Sequence, residues 1–321
     1  MLLEDIGFYT LSDDRAKNVS IDSPLWRCEL LLTDKCTFKC PYCRGLREDL
    51  RGTLTFKEAK NVVDLWIAEG LRNVRFSGGE PTVWKDLVKL VAHCKKNNVE
   101  KIAVSTNGYS DLDLYKRLID AGVNDFSISL DACCAAVGDR MAGRKDSWDV
   151  VVKNIKEVSQ LIYTTVGMVF TKENIAQAKE NVLFADSLGI SDIRVVPSAQ
   201  YNKALKILET LPSEILDKYP ILRYRINNVK KGRNVRKMTK EDSGKCWLVL
   251  DDAAIAGGYH FPCIIYLREG GNPIGKVGDN MRKERENWMN VHNCWEDKIC
   301  REMCLDVCID YNNKVAKFKE T

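Results

Sequence analysis

Three cysteines fall within eight residues, Cys36-Thr37-Phe38-Lys39-Cys40-Pro41-Tyr42-Cys43. Three thiolates at this spacing can bind three irons of one cubane cluster, whereas such clusters otherwise take four protein thiolates. The missing fourth ligand leaves an open coordination position, as catalytic metal sites do. Taken alone, a C-x3-C-x2-C run also suits a zinc knuckle or a buried thiol cluster. Six further cysteines gather late in the chain: Cys246, Cys263, Cys294, Cys300, Cys304 and Cys308. The total of 13 is odd, and the N-terminus carries early acids and no long apolar run of a secretory signal. Both facts favour metal over a disulfide framework and lead to the expectation of a cytoplasmic protein. The other four, Cys28, Cys94, Cys133 and Cys134, read as small buried apolar side chains.

The elements that must position the first cysteines alternate regularly. Short apolar runs at Arg27–Leu32, Asn73–Phe76, Ile102–Ser105, Phe126–Leu130, Thr164–Phe170 and Ile193–Val196 read as strands. Helical spacing lies between them, as in Val62, Val63, Trp66 and Ile67 on one face of Phe56–Glu69. Six βα units in a row predict a parallel sheet with right-handed crossovers. The fold class is α/β, a partial (β/α)6 TIM-like barrel, too few units to close. Cys36, Gly78, Asn107, Asp131 and Pro197 each follow a strand, at the edge where α/β barrels build their sites.

Those edge positions carry motifs. Gly78-Gly79-Glu80-Pro81 follows the second strand, Ser105-Thr106-Asn107-Gly108 the third and Ser127-Ile128-Ser129-Leu130-Asp131 the fourth. With the C-x3-C-x2-C run they resemble the radical S-adenosylmethionine superfamily over roughly residues 28–200. The resemblance implies a [4Fe–4S] cluster on Cys36, Cys40 and Cys43, whose open iron takes the amino and carboxylate groups of S-adenosylmethionine. It implies reductive cleavage to a 5′-deoxyadenosyl radical that abstracts a substrate hydrogen. Tyr42 is then a neighbour of the adenine, and Gly78, Gly79 and Glu80 meet the methionine end. Ser105, Asn107 and Ser129 supply polar contacts, and Arg140 (or Arg144) pairs the carboxylate. The two glycines are expected to let the backbone approach the ligand closely.

Cys246, Gly258 and Cys263 form C-x11-G-x4-C, which resembles the opening of the SPASM and twitch domains that follow many such barrels. The x5 and x3 gaps after Cys294 and Cys300 continue the SPASM pattern, but Val291 stands at its leading cysteine position. Six thiolates suffice for one fully cysteine-ligated auxiliary [4Fe–4S] cluster and fall two short of a second. The expected stripe of Cys300, Cys304 and Cys308, four apart, would share one face of a single helix. The boundaries expected are an extension at 1–27, the radical barrel at 28–200, a basic linker or helical bridge at 201–240 and a small cysteine-rich auxiliary domain at 241–321. Lys218 to Lys240 carries nine lysines or arginines and no acid, which reads as a solvated linker.

A net charge of +4 and the lack of a nucleic-acid-binding signature make nucleic acid an unlikely partner. No apolar run is long enough for a membrane span. Two substrate classes fit the resemblance: a peptide or protein side chain undergoing oxidative modification, or a small molecule such as an amino sugar, alcohol or nucleotide. A non-catalytic iron–sulfur scaffold is disfavoured by the GGEP-like motif. About 35 residues precede Cys36, so a peptide substrate would call for a separate recognition protein; flavodoxin or ferredoxin is the expected reductant. Of the three histidines, His260 is the one placed to test as an acid or base.

Overall fold

The computed structural model describes residues 13–198 and 202–320. The first half runs α1 (Asp13–Asn18), β1 (Arg27–Leu31), α2 (Phe56–Ala68), β2 (Asn73–Ser77), α3 (Leu87–Lys96), β3 (Lys101–Thr106), α4 (Leu112–Ala121) and β4 (Asp125–Ser129). It continues with α5 (Ala135–Ala142), α6 (Trp148–Ser159), β5 (Tyr163–Phe170), α7 (Ala178–Asp186), β6 (Asp192–Pro197), α8 (Ser213–Lys218) and α9 (Pro220–Lys230). The last part holds β7 (Asp252–Ala256), β8 (Tyr259–Phe261), α10 (Ile264–Arg268), β9 (Gly275–Lys276), α11 (Met281–Val291), α12 (Lys298–Met303) and α13 (Asp306–Glu320). No helix among the described residues is long and apolar enough to cross a membrane.

The strands form one sheet in the order β6-β5-β4-β3-β2-β1-β7-β8-β9. Strands β1 to β7 are parallel, and β8 and β9 add antiparallel. The six strands read from the sequence are β1 to β6. The seventh was not expected: β7 comes from the cysteine-rich segment and pairs along β1 from Arg27↔Asp252 to Leu30↔Ile255. The sheet therefore crosses the expected boundary at 241 without a break, so backbone hydrogen bonds join that segment to the barrel.

Side chains alternate across the parallel strands with period two. Phe76, Val104, Phe126, Ile128 and Val166 pack into the core under the helices, with Trp66 and Leu90. The opposite face lines a cavity and is charged: Arg27, Glu29, Arg75, Asp125, Arg194 and Asp252. A closed TIM barrel fills this space with branched apolar side chains; here the strand face is charged and the space is open.

Of the two expectations for the basic stretch, linker or helical bridge, residues 220–230 take the helical form. Helix α9 packs on β6, and Arg225 on it is only 2% exposed, paired at 2.5 Å with buried Asp306 at the start of α13. Arg233 pairs with Asp310, and Lys237 with Glu302 at 3.5 Å. Acids distant in sequence pair with these three, which ties α9 to the C-terminal helices, while Lys230, Lys231 and Lys240 are exposed.

The cysteine stripe also departs from expectation. Cys300 lies in α12, Cys304 caps it with extended backbone, and Cys308 lies in α13. The break is imposed from outside: Lys237 N–H donates to the Cys304 carbonyl at 3.1 Å and Asp306 N–H to the Val235 carbonyl at 2.9 Å. These bonds take chain that a continuous helix would have used.

Candidate functional site

The first cysteine loop is pinned at both ends. Leu54 N–H donates to the Leu32 carbonyl at 2.9 Å, Asp34 N–H to Gly52 at 3.0 Å, and the Thr33 and Thr53 hydroxyls meet at 2.7 Å. Beyond it, a capping box starts α2: Thr55 Oγ1 accepts from Glu58 N–H, and the Glu58 carboxylate accepts from Thr55 N–H, a device worth about 1 kcal/mol.

Gly78 and Gly79 hold the loop from the side. A Cβ on Gly78 would stand 2.4 Å from the Thr33 carbonyl oxygen, and one on Gly79 would stand 2.3 Å from that of Lys35. Gly79 N–H donates to Thr33 and Glu80 N–H to Lys35. The close approach that these glycines permit is thus to the chain's own cysteine loop. Further along the loop, Lys39 N–H donates to the Ala142 carbonyl at 2.9 Å, and Arg144 to the Thr37 carbonyl at 3.1 Å while lying over the Tyr109 ring.

Glu80 is 1% exposed, and burial raises its pKa. Its carboxylate accepts from the Thr82 N–H and hydroxyl, the Thr106 hydroxyl at 2.6 Å and the Asn107 N–H at 2.7 Å. Three of these donors reach Oε1 and one reaches Oε2, so in this structure Glu80 joins the loops after β2 and β3. The Asn107 amide in turn donates to Thr37 Oγ1 at 2.8 Å.

These loops surround a cavity of about 450 Å³. Cys36, Cys40 and Cys43 line it, with Cys36 and Cys43 exposed and Cys40 half-buried. Burial pushes the Cys40 thiol up to about 12, so without a metal it is protonated; a bound cation reverses that balance. Tyr42, Gly78, Gly79, Glu80, Ser105, Asn107 and Ser129 line the same cavity. The Tyr42 hydroxyl donates to Asp131, whose carboxyl burial raises to about 6. Arg140 stands apart: it is exposed outside the cavity lining, and its nearest charge is Glu173 at 3.8 Å. Arg140 sits on the exposed side of α5, so the expected pairing with the cofactor carboxylate is not set up in this structure.

All six C-terminal cysteines surround a second, smaller cavity of about 40 Å³. Cys246 and Cys294, Cys294 and Cys300, and Cys304 and Cys308 are hydrogen-bonded neighbours. Cys263 and Cys308 line both cavities and so form the wall between them. Of the remaining cysteines, Cys28 and Cys94 are core residues as expected, whereas Cys133 and Cys134 are only half-buried before α5.

His260 is an unsuitable acid or base. It is fully buried on β8 between Glu284 at 2.8 Å and Arg285, outside both cavities, and burial lowers its pKa to about 4. Two residues with chemical reach were missed. Arg194 lines the large cavity, and its one hydrogen bond among the described residues goes to Ser127 Oγ at 3.2 Å. Its register partner is Gly167, where a Cβ would stand 3.4 Å from its guanidinium. The alternation of β6 was a signal for Arg194. The second, His292, places Nε2 3.4 Å from Cys300 Sγ.

A parallel sheet with three thiols of one loop at its strand ends, facing a cavity with a charged strand face, can hold a cluster that keeps one coordination position open. Residues 30–185 match the model of the radical SAM superfamily, so the chain is an enzyme that carries a radical SAM domain. That family works with a [4Fe–4S] cluster and S-adenosylmethionine, and the three cavity-lining thiols fit such a cluster.

A probable GTP 3′,8-cyclase of Sulfurisphaera tokodaii is 27% identical over 216 residues, 62% of this chain and 69% of that protein. A GTP 3′,8-cyclase of Staphylococcus saprophyticus is 31% identical over 193 residues, 56% of this chain and 51% of that protein. The chain thus spans between about half and two thirds of the curated relatives it matches. Two solved structures share the fold. Streptococcus suis SuiB bound to precursor peptide SuiA has a TM-score of 0.59 at 17% identity, covering 88% of this chain and 68% of that one. The anSMEcpe structure with bound AdoMet and Cp18Cys peptide has a TM-score of 0.64 at 15% identity, covering 92% and 97%.

Proposed function

We propose that this chain reductively cleaves S-adenosylmethionine and abstracts a hydrogen atom from a substrate seated between its two cysteine sites. The observation that carries the reading is one continuous cavity, lined by Cys36, Cys40 and Cys43 and also by Cys263 and Cys308. In this reading the first three thiolates hold the cluster, and Gly78, Gly79, Ser105, Asn107 and Ser129 receive the cofactor. When bound, cluster and cofactor supply a one-electron cleavage of the sulfonium that yields a carbon radical. The chain's own work is positioning. Glu80 locks the loops after β2 and β3 together, and Tyr42 is oriented by Asp131. Trp148 and Leu130 furnish apolar wall that limits water. The substrate's first electron would leave with the abstracted hydrogen atom, the C-terminal cysteines would hold the centre to which its second could pass, and flavodoxin or ferredoxin would deliver the electron that cleaves S-adenosylmethionine.

The substrate in this reading is a peptide or protein side chain undergoing oxidation, supported by the fold shared with the two peptide-bound structures. A second reading, a small anionic molecule such as a nucleotide, is favoured by Arg194. Its guanidinium has five N–H donors and faces the cavity with one hydrogen bond among the described residues. The naming of the relatives as GTP cyclases agrees with it.

Anaerobically reconstituted protein with dithionite and S-adenosylmethionine should release 5′-deoxyadenosine, and Cys40→Ala should not. Deuterium carried into that product from deuterated peptide or from deuterated nucleotide identifies the class. Failure to cleave with both substrate classes present removes the proposal.

A further inference from the structure

We propose that His292, Cys294 and Cys300 form a single-ion metal site for a thiophilic divalent cation of the zinc type, beside the auxiliary cluster and separate from it. The ligand atoms of these three residues all lie within 4.8 Å of one another, and His292 Nε2 is 3.4 Å from Cys300 Sγ. Donors on one tetrahedral ion stand roughly 3.5 Å apart, given bonds of about 2.0–2.3 Å.

The thiol count agrees. A cubane takes four thiolates, and Cys246, Cys263, Cys304 and Cys308 are mutual neighbours around the same small cavity. Taking them for the cluster leaves Cys294 and Cys300, and the imidazole joins that remainder. The sequence pattern has its vacancy at Val291, whose side chain is 84% exposed at the end of α11. The backbone leaves the helix at His292 in extended conformation, and the His292 ring is half-buried.

The three donors are also held in place. The His292 ring stacks on Trp288 with centroids 3.8 Å apart and meets Tyr266 edge-on at 6.2 Å. Asp297 accepts the Cys300 N–H at 2.9 Å and the Tyr266 hydroxyl at 2.8 Å. Cys294 N–H donates to the Gly244 carbonyl at 2.9 Å. Such outer contacts orient ligands in known metal sites. Two thiolates and one imidazole are the donor chemistry of zinc, and three protein ligands leave a fourth position for a non-protein group.

The test uses the reconstituted holoprotein and needs no turnover, so it stands or falls independently of S-adenosylmethionine cleavage. With Zn²⁺ or Co²⁺ as the added probe, the wild type should bind one ion per chain beyond its iron, and Co²⁺ should give a thiolate charge-transfer band and the visible bands of tetrahedral coordination. His292→Ala and Cys300→Ser should lose the ion and the bands with the iron content unchanged. His292→Cys should keep both, which separates lost ligation from lost folding. The proposal is overturned if no extra ion binds. It is equally overturned if His292→Ala or Cys300→Ser loses about four irons per chain, since the donors then belong to a cluster.

Discussion

Glu80 accepts the backbone N–H of Asn107 at 2.7 Å, and through it the loop after β2 is fixed to the loop after β3. The side chain that the sequence motif assigns to the cofactor is thus also a structural tie between two walls of the cavity. Gln at this position keeps one oxygen and turns the other into a donor facing donors. Leaving buried donors unsatisfied costs about 1–3 kcal/mol. Glu80→Gln should therefore lower the thermal midpoint of the cluster-free protein as well as weaken S-adenosylmethionine binding. A variant with an unchanged midpoint would show that the tie contributes little.

Gly79→Ala should impair cluster assembly. Its Cβ would stand 2.3 Å from the Lys35 carbonyl oxygen and 2.6 Å from that of Asp34, both backbone atoms next to Cys36. The cysteine loop has to shift, and iron analysis should show a loss of about four irons per chain relative to wild type. Full iron loading would mean that the loop tolerates the displacement.

How much of this was legible in the sequence depends on periodicity. The first six strands carry enough branched and aromatic residues to stand out, as Val74 and Phe76 do in β2. Strand β7, Asp-Ala-Ala-Ile-Ala, has one branched residue and is made a strand by pairing with β1. The break between α12 and α13 was hidden for the same reason: spacing favours one helix, and the bonds from Val235 and Lys237 that interrupt it come from far away in the chain. Basic residues 218–240 looked solvated because their acidic partners, Asp306, Asp310 and Glu302, lie 65–81 positions on. The cysteine motif and its edge position were legible because they are local; Arg194 and His292 matter only through what the fold brings beside them.

The Arg225–Asp306 pair should be costly to break on one side. Both side chains are buried, and Asn228 also donates to Asp306 at 2.9 Å. Arg225→Met leaves a buried carboxylate without its counter-charge, a loss of about 3–5 kcal/mol. Denaturant midpoints should show it, and Arg225→Met with Asp306→Leu should recover a large part. No recovery in the double variant would assign the loss to packing of the Arg225 stem.

Acid titration should reveal Asp131. Burial raises its carboxyl from 3.8 to about 6, and raises Asp192 to about 6 as well. A carboxyl whose pKa is higher in the folded than in the unfolded state keeps its proton in the fold. Its contribution to stability is therefore full below about pH 4 and is lost as pH rises through about 6. Two units correspond to roughly 3 kcal/mol at most. Urea midpoints of cluster-free protein should fall across that window, and Asp131→Asn should lessen the slope while Asp192 retains its share. An undiminished slope in Asp131→Asn would assign the effect to other groups.

The two cysteine sets should assemble independently. Cys36, Cys40 and Cys43 belong to one loop closed between β1 and α2, whereas the C-terminal six are held by α10, α12, α13 and the chain before β7. Their shared wall, Cys263 and Cys308, contains none of the first three. Changing Cys36, Cys40 and Cys43 together to Ala should leave about four irons per chain and the charge-transfer absorption of an iron–sulfur centre. Changing Cys246, Cys263 and Cys304 to Ala should do the reverse: the first cluster stays and still cleaves S-adenosylmethionine, but product formation fails for want of an electron acceptor. Cys263 borders the large cavity, so the second variant should also alter substrate affinity, and comparing uncoupled 5′-deoxyadenosine release with product yield separates the two effects. A colourless, iron-free first variant would make the C-terminal cysteines structural thiols or ligands of other metals, while leaving the radical barrel intact.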